Sequence, residues 1–102
     1  MTKEQKEKAD FIASKLSETA LITQALEELG ELSQVLAKRL RILRGENWTP
    51  CNDAENFTHL TEETADVILC LNVLNSKIEI MRPKFEEITN FKLDRWKKRL
   101  EL

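Results

Sequence analysis

Apolar residues recur along this chain at helical spacing, and in no stretch do they alternate in the two-residue rhythm of a strand. Thr2 to Leu16 carries Ala9, Ile12 and Leu16 on one face, with Phe11 to one side and Thr2 and Gln5 spaced as a capping pair. Ser17 is placed to cap a second helix running from near Glu18 to about Arg44, with Gly45 as its stop. Its stripe reads Leu21, Ala25, Leu29, Leu32, Leu36, Leu40, Leu43. Glu46 to Cys51, with Trp48 at its centre, is the one clear linker. Asn52 and Glu55 then look like the cap of a third helix continuing to Met81. Pro83 suits the start of a fourth, because its missing N–H is not needed there. That helix is expected to turn Phe85, Ile88, Thr89, Trp96 and Leu100 toward the core, with Lys92, Arg95 and Arg99 as a basic strip along its edge.

These elements predict an all-α, antiparallel four-helix bundle formed by a single domain over residues 1–102. The apolar faces of the second and third helices, including Leu60, Val67, Leu71, Leu74 and Ile78, are wider than one partner helix covers. A second copy is therefore expected to complete the bundle, making the smallest unit a homodimer.

Composition sharpens this only at the edges. Two Gly, two Pro and no Tyr in 102 residues agree with a mostly helical chain. A formal charge of −2 argues against a general nucleic-acid or membrane-surface binder. One His and two Cys cannot furnish a four-ligand zinc site, and Cys51 and Cys70 make no disulfide framework. Cys70, on the core face, reads as a small buried hydrophobe. Thr2 to Asp10 lacks the apolar stretch of a signal peptide, and no run approaches the roughly 20 apolar residues that span a bilayer. The expected setting is the cytoplasm.

The chemistry sits in two acidic words. Glu63 leads along its helix face to Val67, Cys70 and Leu74, and Asp66 leads to Cys70, Val73 and Lys77. Two carboxylates therefore start the stripe that should be the core face, where an uncompensated charge is costly. Upstream, Glu28 and Glu31 are neighbours on one helix surface, expected to flank the apolar stripe of their helix. Packing the two helices together would gather Glu28, Glu31, Glu63 and Asp66. Four carboxylates in one place call for a hard divalent cation, and an oxygen-only set suits magnesium, with manganese as a substitute. Glu27, Glu28 and Glu31 alone would pass as ordinary exposed helix residues; Glu63 and Asp66 would not.

Glu27-Glu28-x-x-Glu31 followed by Glu63-x-x-Asp66 resembles the paired signature of the MazG-like, all-α nucleoside triphosphate pyrophosphohydrolases. The resemblance extends through Ala25–Leu32 and Glu62–Val67 and covers roughly Leu21 to Trp96, with a connection longer than in many relatives. It implies a MazG-like bundle assembling as a dimer or tetramer. The implied activity is magnesium-dependent hydrolysis of a nucleoside triphosphate to the monophosphate and pyrophosphate, by a metal-activated water. Glu28, Glu31, Glu63 and Asp66 are then the metal ligands. Glu27 and Glu62, beside them, are expected to orient water or assist proton transfer, and which carboxylate takes the proton stays open. Lys92 and Arg95 match a late basic position of the family and are expected to hold phosphate oxygens, the alternative being a solvated helix edge; independently of the resemblance, Trp48 reads either as a packing lid over the core or as a platform that stacks on the base.

Other readings share parts of this pattern. Phosphoribosyl-ATP pyrophosphohydrolases have similar acidic pairs and are the runner-up. A ferritin-like di-iron site needs two Glu-x-x-His elements, which one His excludes. A non-enzymatic helical interaction module leaves acids on a core face unexplained.

Overall fold

The computed structural model describes residues 1–45 and 52–101, and among these the chain is all-α with no strand. Its helices are α1 (Lys3–Lys15), α2 (Glu18–Arg44), α3 (Asp53–Ile78) and α4 (Lys84–Leu100). The starts follow local chemistry. Thr2 and Gln5 form a reciprocal capping box. The Ser17 hydroxyl accepts from the Ala20 N–H, and Asn52 Oδ1 accepts from the Glu55 N–H at 2.8 Å. Gly45 ends α2 in the left-handed region at φ 64°, a conformation its missing Cβ makes inexpensive.

One boundary differs from expectation. α3 stops at Ile78, short of Met81, because Glu79 turns left-handed at φ 50° and Asn75 takes over the chain. The Asn75 carbonyl accepts from the Glu79 N–H at 2.8 Å, and its side-chain Oδ1 accepts from the Met81 N–H at 2.7 Å.

Packing is concentrated in three helices. α2 and α3 lie side by side as an antiparallel hairpin, and α1 packs on α3. Ala9, Ala13, Leu21, Val73 and Leu74 form the buried cluster, with Ile78 against it. The Lys77 ammonium donates to the Ala13 carbonyl at 3.1 Å, tying the end of α1 to α3. At the opposite end Arg39 of α2 pairs with Asp53 of α3.

The face that α2 turns to α3 is not the expected one. Leu21, Ala25 and Val35 are buried and Leu32 is half-buried, whereas Leu29, Leu36, Leu40 and Leu43 are exposed. The facing stripe therefore runs Leu21–Ala25–Glu28–Leu32–Val35, and Glu28 sits inside it instead of flanking it. α4 departs further. None of its residues is buried, and Trp96, expected in the core, is 64% exposed. No helix is long and apolar enough to cross a membrane among the described residues.

Candidate functional site

A buried amide sets the register on which the site depends. Asn56 is 0% exposed, and its Nδ2 donates to the Val35 carbonyl at 3.2 Å, pairing these positions across the hairpin. Two helical turns is about seven residues. Stepping seven along each antiparallel helix from Asn56 and Val35 arrives at Glu63 and Glu28. A further seven arrives at Cys70 and Leu21, which line one cavity together. The pairing at Asn56 thus places the first acidic word opposite the second.

Glu28, Glu31 and Glu63 each offer one carboxylate oxygen within 4.8 Å of the others. Glu28 and Glu63 are half-buried and Glu31 is exposed, so the group opens at the rim of the hairpin. Gln24, one turn before Glu28, donates to Glu28 Oε1 at 2.9 Å. The second oxygens, Glu28 Oε2 and Glu63 Oε2, are shut from water and have no hydrogen-bond partner among the described residues. Orphaned buried acceptors are uncommon and call for an explanation such as a bound ion.

The electrostatics point the same way. The Glu28 carboxyl is raised above its ordinary value by burial, then by the charges of Glu31 and Asp66, with the Gln24 donation opposing. Glu63 is raised by burial, by a carboxyl hydrogen bond with Glu31, and by the charges of Glu31, Asp66 and Glu28. Among the described residues no cation offsets the charge on either. The carboxyls must share protons or receive a positive ion. A set made only of oxygens, open on one side and with two unused acceptors, fits a hard divalent cation such as magnesium. Burial, then the charges of Glu28 and Asp66, push the Cys70 thiol up, which keeps it protonated as a wall beside the cluster.

The remaining predicted residues fall at different distances from this group. Asp66 is half-buried and close enough to act on Glu28 and Glu63, but its oxygens stand outside the mutual group of three. Glu27 and Glu62 are exposed and outside it. Lys92 and Arg95 lie on exposed α4, where the Arg95 guanidinium sits 5.8 Å from the Phe91 ring centroid. Trp48 and Cys51 lie outside the described residues. Sequence reasoning missed Gln24, although its four-residue offset from Glu28 is the signal that finds it. It also missed an apolar recess of about 340 Å³ walled by Leu16, Ala20, Leu21, Leu69 and Val73, which reaches the carboxylates through Gln24 and Cys70.

No protein-family model, curated protein or solved structure matches the chain.

Proposed function

We propose that this chain is a magnesium-dependent nucleoside triphosphate pyrophosphohydrolase of the MazG-like type, working as a homodimer. The observation that carries the reading is the convergence of Glu28, Glu31 and Glu63, from two distant acidic words, with two shut oxygens left unpaired. In this reading Glu28, Glu31 and Glu63 hold the ion, and Asp66 joins them from the next turn. Bound magnesium would neutralise phosphate charge and lower the pKa of a coordinated water.

The chain's own groups do the rest. Gln24 holds Glu28 in orientation through its amide. Glu27 and Glu62, exposed and next in sequence to Glu28 and Glu63, would accept a proton from water or orient it. Lys92 and Arg95 stabilise charge on the departing pyrophosphate. The apolar recess against Gln24 and Cys70 receives the nucleoside end, its size within the range of small-ligand pockets. Homodimerisation is supported by the uncovered side of the hairpin, where Leu29, Leu36, Leu40, Phe57 and Ile68 are all exposed.

The test is pyrophosphate release from a panel of ordinary and modified nucleoside triphosphates, with phosphoribosyl-ATP included, in magnesium and in chelator. Release of pyrophosphate together with monophosphate, abolished by chelator, is expected. Turnover of phosphoribosyl-ATP alone would move the chain to the sister activity. No turnover of any member would leave a helical interaction module as the better account.

A further inference from the structure

One cation on α2 has no ionic use among the described residues. From Leu32 to Gly45 the chain carries four cations, Lys38, Arg39, Arg41 and Arg44, and no acid, although the net charge of the whole is −2. Arg41 and Arg44 fall in the last turn of α2, where cations complement the helix dipole. Arg39 pairs with Asp53. Neither account reaches Lys38. It lies before the last turn, is half-buried, and has no ion-pair partner among the described residues. With Gln34, Ala37 and Arg41 it lines a shallow groove of about 400 Å³.

The register of the hairpin fixes what this groove adjoins. Each residue of a helix turns the chain by about 100°. Measured from Val35 on α2, Glu31 and Lys38 lie about 40° and 60° to one side, and Arg39 about 40° to the other. Measured from its partner Asn56 on α3, Glu63, His59 and Asp66 lie about 20°, 60° and 80° to one side, and Asp53 about 60° to the other. In two antiparallel helices that face each other, the same rotational sense falls on the same side. The Arg39–Asp53 ion pair on one side, and the meeting of Glu31 with Glu63 on the other, agree with this geometry. Lys38 and His59 therefore share the rim on which the carboxylates open.

Along that rim Lys38 stands two turns beyond Glu31, and His59 one turn beyond Glu63, in the same direction. Side chains on a helix lean toward its N-terminus, so on antiparallel helices these two lean toward each other, at the level of Gln34. The apolar recess with Gln24 and Cys70 lies at the opposite end of the carboxylates. Recess, acids and cation thus follow one another along one edge of the hairpin.

We propose that Lys38, with Gln34 and His59 beside it and Arg41 one turn on, seats the terminal phosphate of a triphosphate whose nearer phosphates are held through the ion at the carboxylates. The hairpin then reads polyphosphate length, taking a triphosphate over a diphosphate. It also sets the substrate's direction, nucleoside toward α1 and tail toward the end of α2. The proposal rests on the functional reading above. An ammonium, an imidazole N–H and an amide N–H all donate to phosphate oxygens. Such a contact is equally strong before and during the reaction, so it lowers KM and leaves the chemical step alone. That separates Lys38 from Lys92 and Arg95, which act on charge developing in the reaction.

Lys38→Met is the informative variant, because it keeps the half-buried stem and removes the charge. Titration calorimetry with inorganic tripolyphosphate and with pyrophosphate, in magnesium, reads the seat without catalysis. The parent should bind tripolyphosphate the more tightly. Lys38→Met should weaken tripolyphosphate about ten- to a hundredfold, one charge-assisted contact being lost, and change pyrophosphate by less than about twofold. Equal weakening of both anions, or of neither, overturns the proposal. Tripolyphosphate that binds as tightly in chelator, or to Glu63→Gln, would make the groove a free-standing anion site and overturn the tail assignment. With any triphosphate the parent hydrolyses, Lys38→Met should raise KM and keep kcat, and Lys38→Arg should recover most of the loss. A lower kcat at unchanged KM overturns the proposal. Length-selective binding in a protein that hydrolyses no triphosphate would sink the functional reading alone. Full hydrolysis, with both anions bound alike by parent and Lys38→Met, would sink the phosphate seat alone.

Discussion

Asn56 offers the sharpest test of how the acidic words are brought opposite each other. Its side chain is fully buried, donates one hydrogen bond to the Val35 carbonyl at 3.2 Å, and leaves Oδ1 without a partner. Replacing it by Asp keeps the shape but exchanges the donor for a second oxygen facing a carbonyl. An unpaired charge at such a site costs about 3–5 kcal/mol. At about 4–8 °C per kcal/mol for a domain near 100 residues, the melting temperature should fall by roughly 12–40 °C at neutral pH. The sign with pH follows from linkage. Burial raises the folded-state pKa of the new carboxyl, so the penalty is absent below its unfolded value near ~3.9, grows as pH rises, and levels off above the folded value. Asn56→Leu has a different balance. It loses one neutral hydrogen bond worth about 1 kcal/mol and relieves an orphaned acceptor of comparable or greater cost, so its stability should stay within about 1 kcal/mol of the parent.

The Leu variant also separates stability from register. With the amide bond to Val35 gone, the Arg39–Asp53 ion pair, a further turn from Glu63 and with Asp53 exposed, is left to hold this end of the hairpin. Magnesium should therefore stabilise the Leu variant less than it stabilises the parent, even where the metal-free forms melt together. Thermal melts by far-ultraviolet circular dichroism, in chelator and in millimolar magnesium at two pH values, measure all of this. An Asp variant that melts with the parent at neutral pH would refute the burial on which the register argument stands. Equal destabilisation by Asp and Leu would refute the assignment of the penalty to charge.

Four further outcomes follow from the site. In chelator, parental stability should fall as pH rises above the ordinary glutamate value of 4.5, since the raised carboxyls of Glu28 and Glu63 hold protons longer in the folded than in the unfolded chain. Glu63→Gln should flatten that fall, melt at or above the parent without metal, gain less from magnesium and lose hydrolysis by orders of magnitude; strong destabilisation in chelator with hydrolysis retained would defeat the metal assignment. Lys92→Ala and Arg95→Ala should each lower kcat/KM by about 2–4 kcal/mol of transition-state stabilisation while magnesium still raises the melting point, and unchanged kinetics in both would return α4 to a solvated helix. Ala20→Phe, which fills the apolar recess, should raise KM for nucleoside triphosphates without altering magnesium stabilisation; an unchanged KM would move the nucleoside elsewhere.

What the sequence discloses here divides by the range over which each signal acts. The Thr2, Ser17 and Asn52 caps and the Gly45 stop were legible because a cap is decided within three or four residues. The end of α3 was not, because Asn75 reaches six residues forward to Met81 and no glycine marks the turn at Glu79. The stripe of α2 failed for a different reason. This 27-residue helix carries two apolar faces, and the leucine-rich one, Leu29, Leu36, Leu40, Leu43, attracts the eye. Which face meets α3 is decided by Asn56 and Val35, a pairing across 21 positions that no periodicity encodes. Once that pairing is granted, Glu28 has to enter the interface, and an acid that looked peripheral becomes central. α4 marks the limit of patterning itself. The spacing of Phe85, Ile88 and Trp96 says that a face is to be covered, but identical spacing serves a contact within one chain or between two. That is why the two acidic words stand out along the sequence while the surface that meets α4 does not.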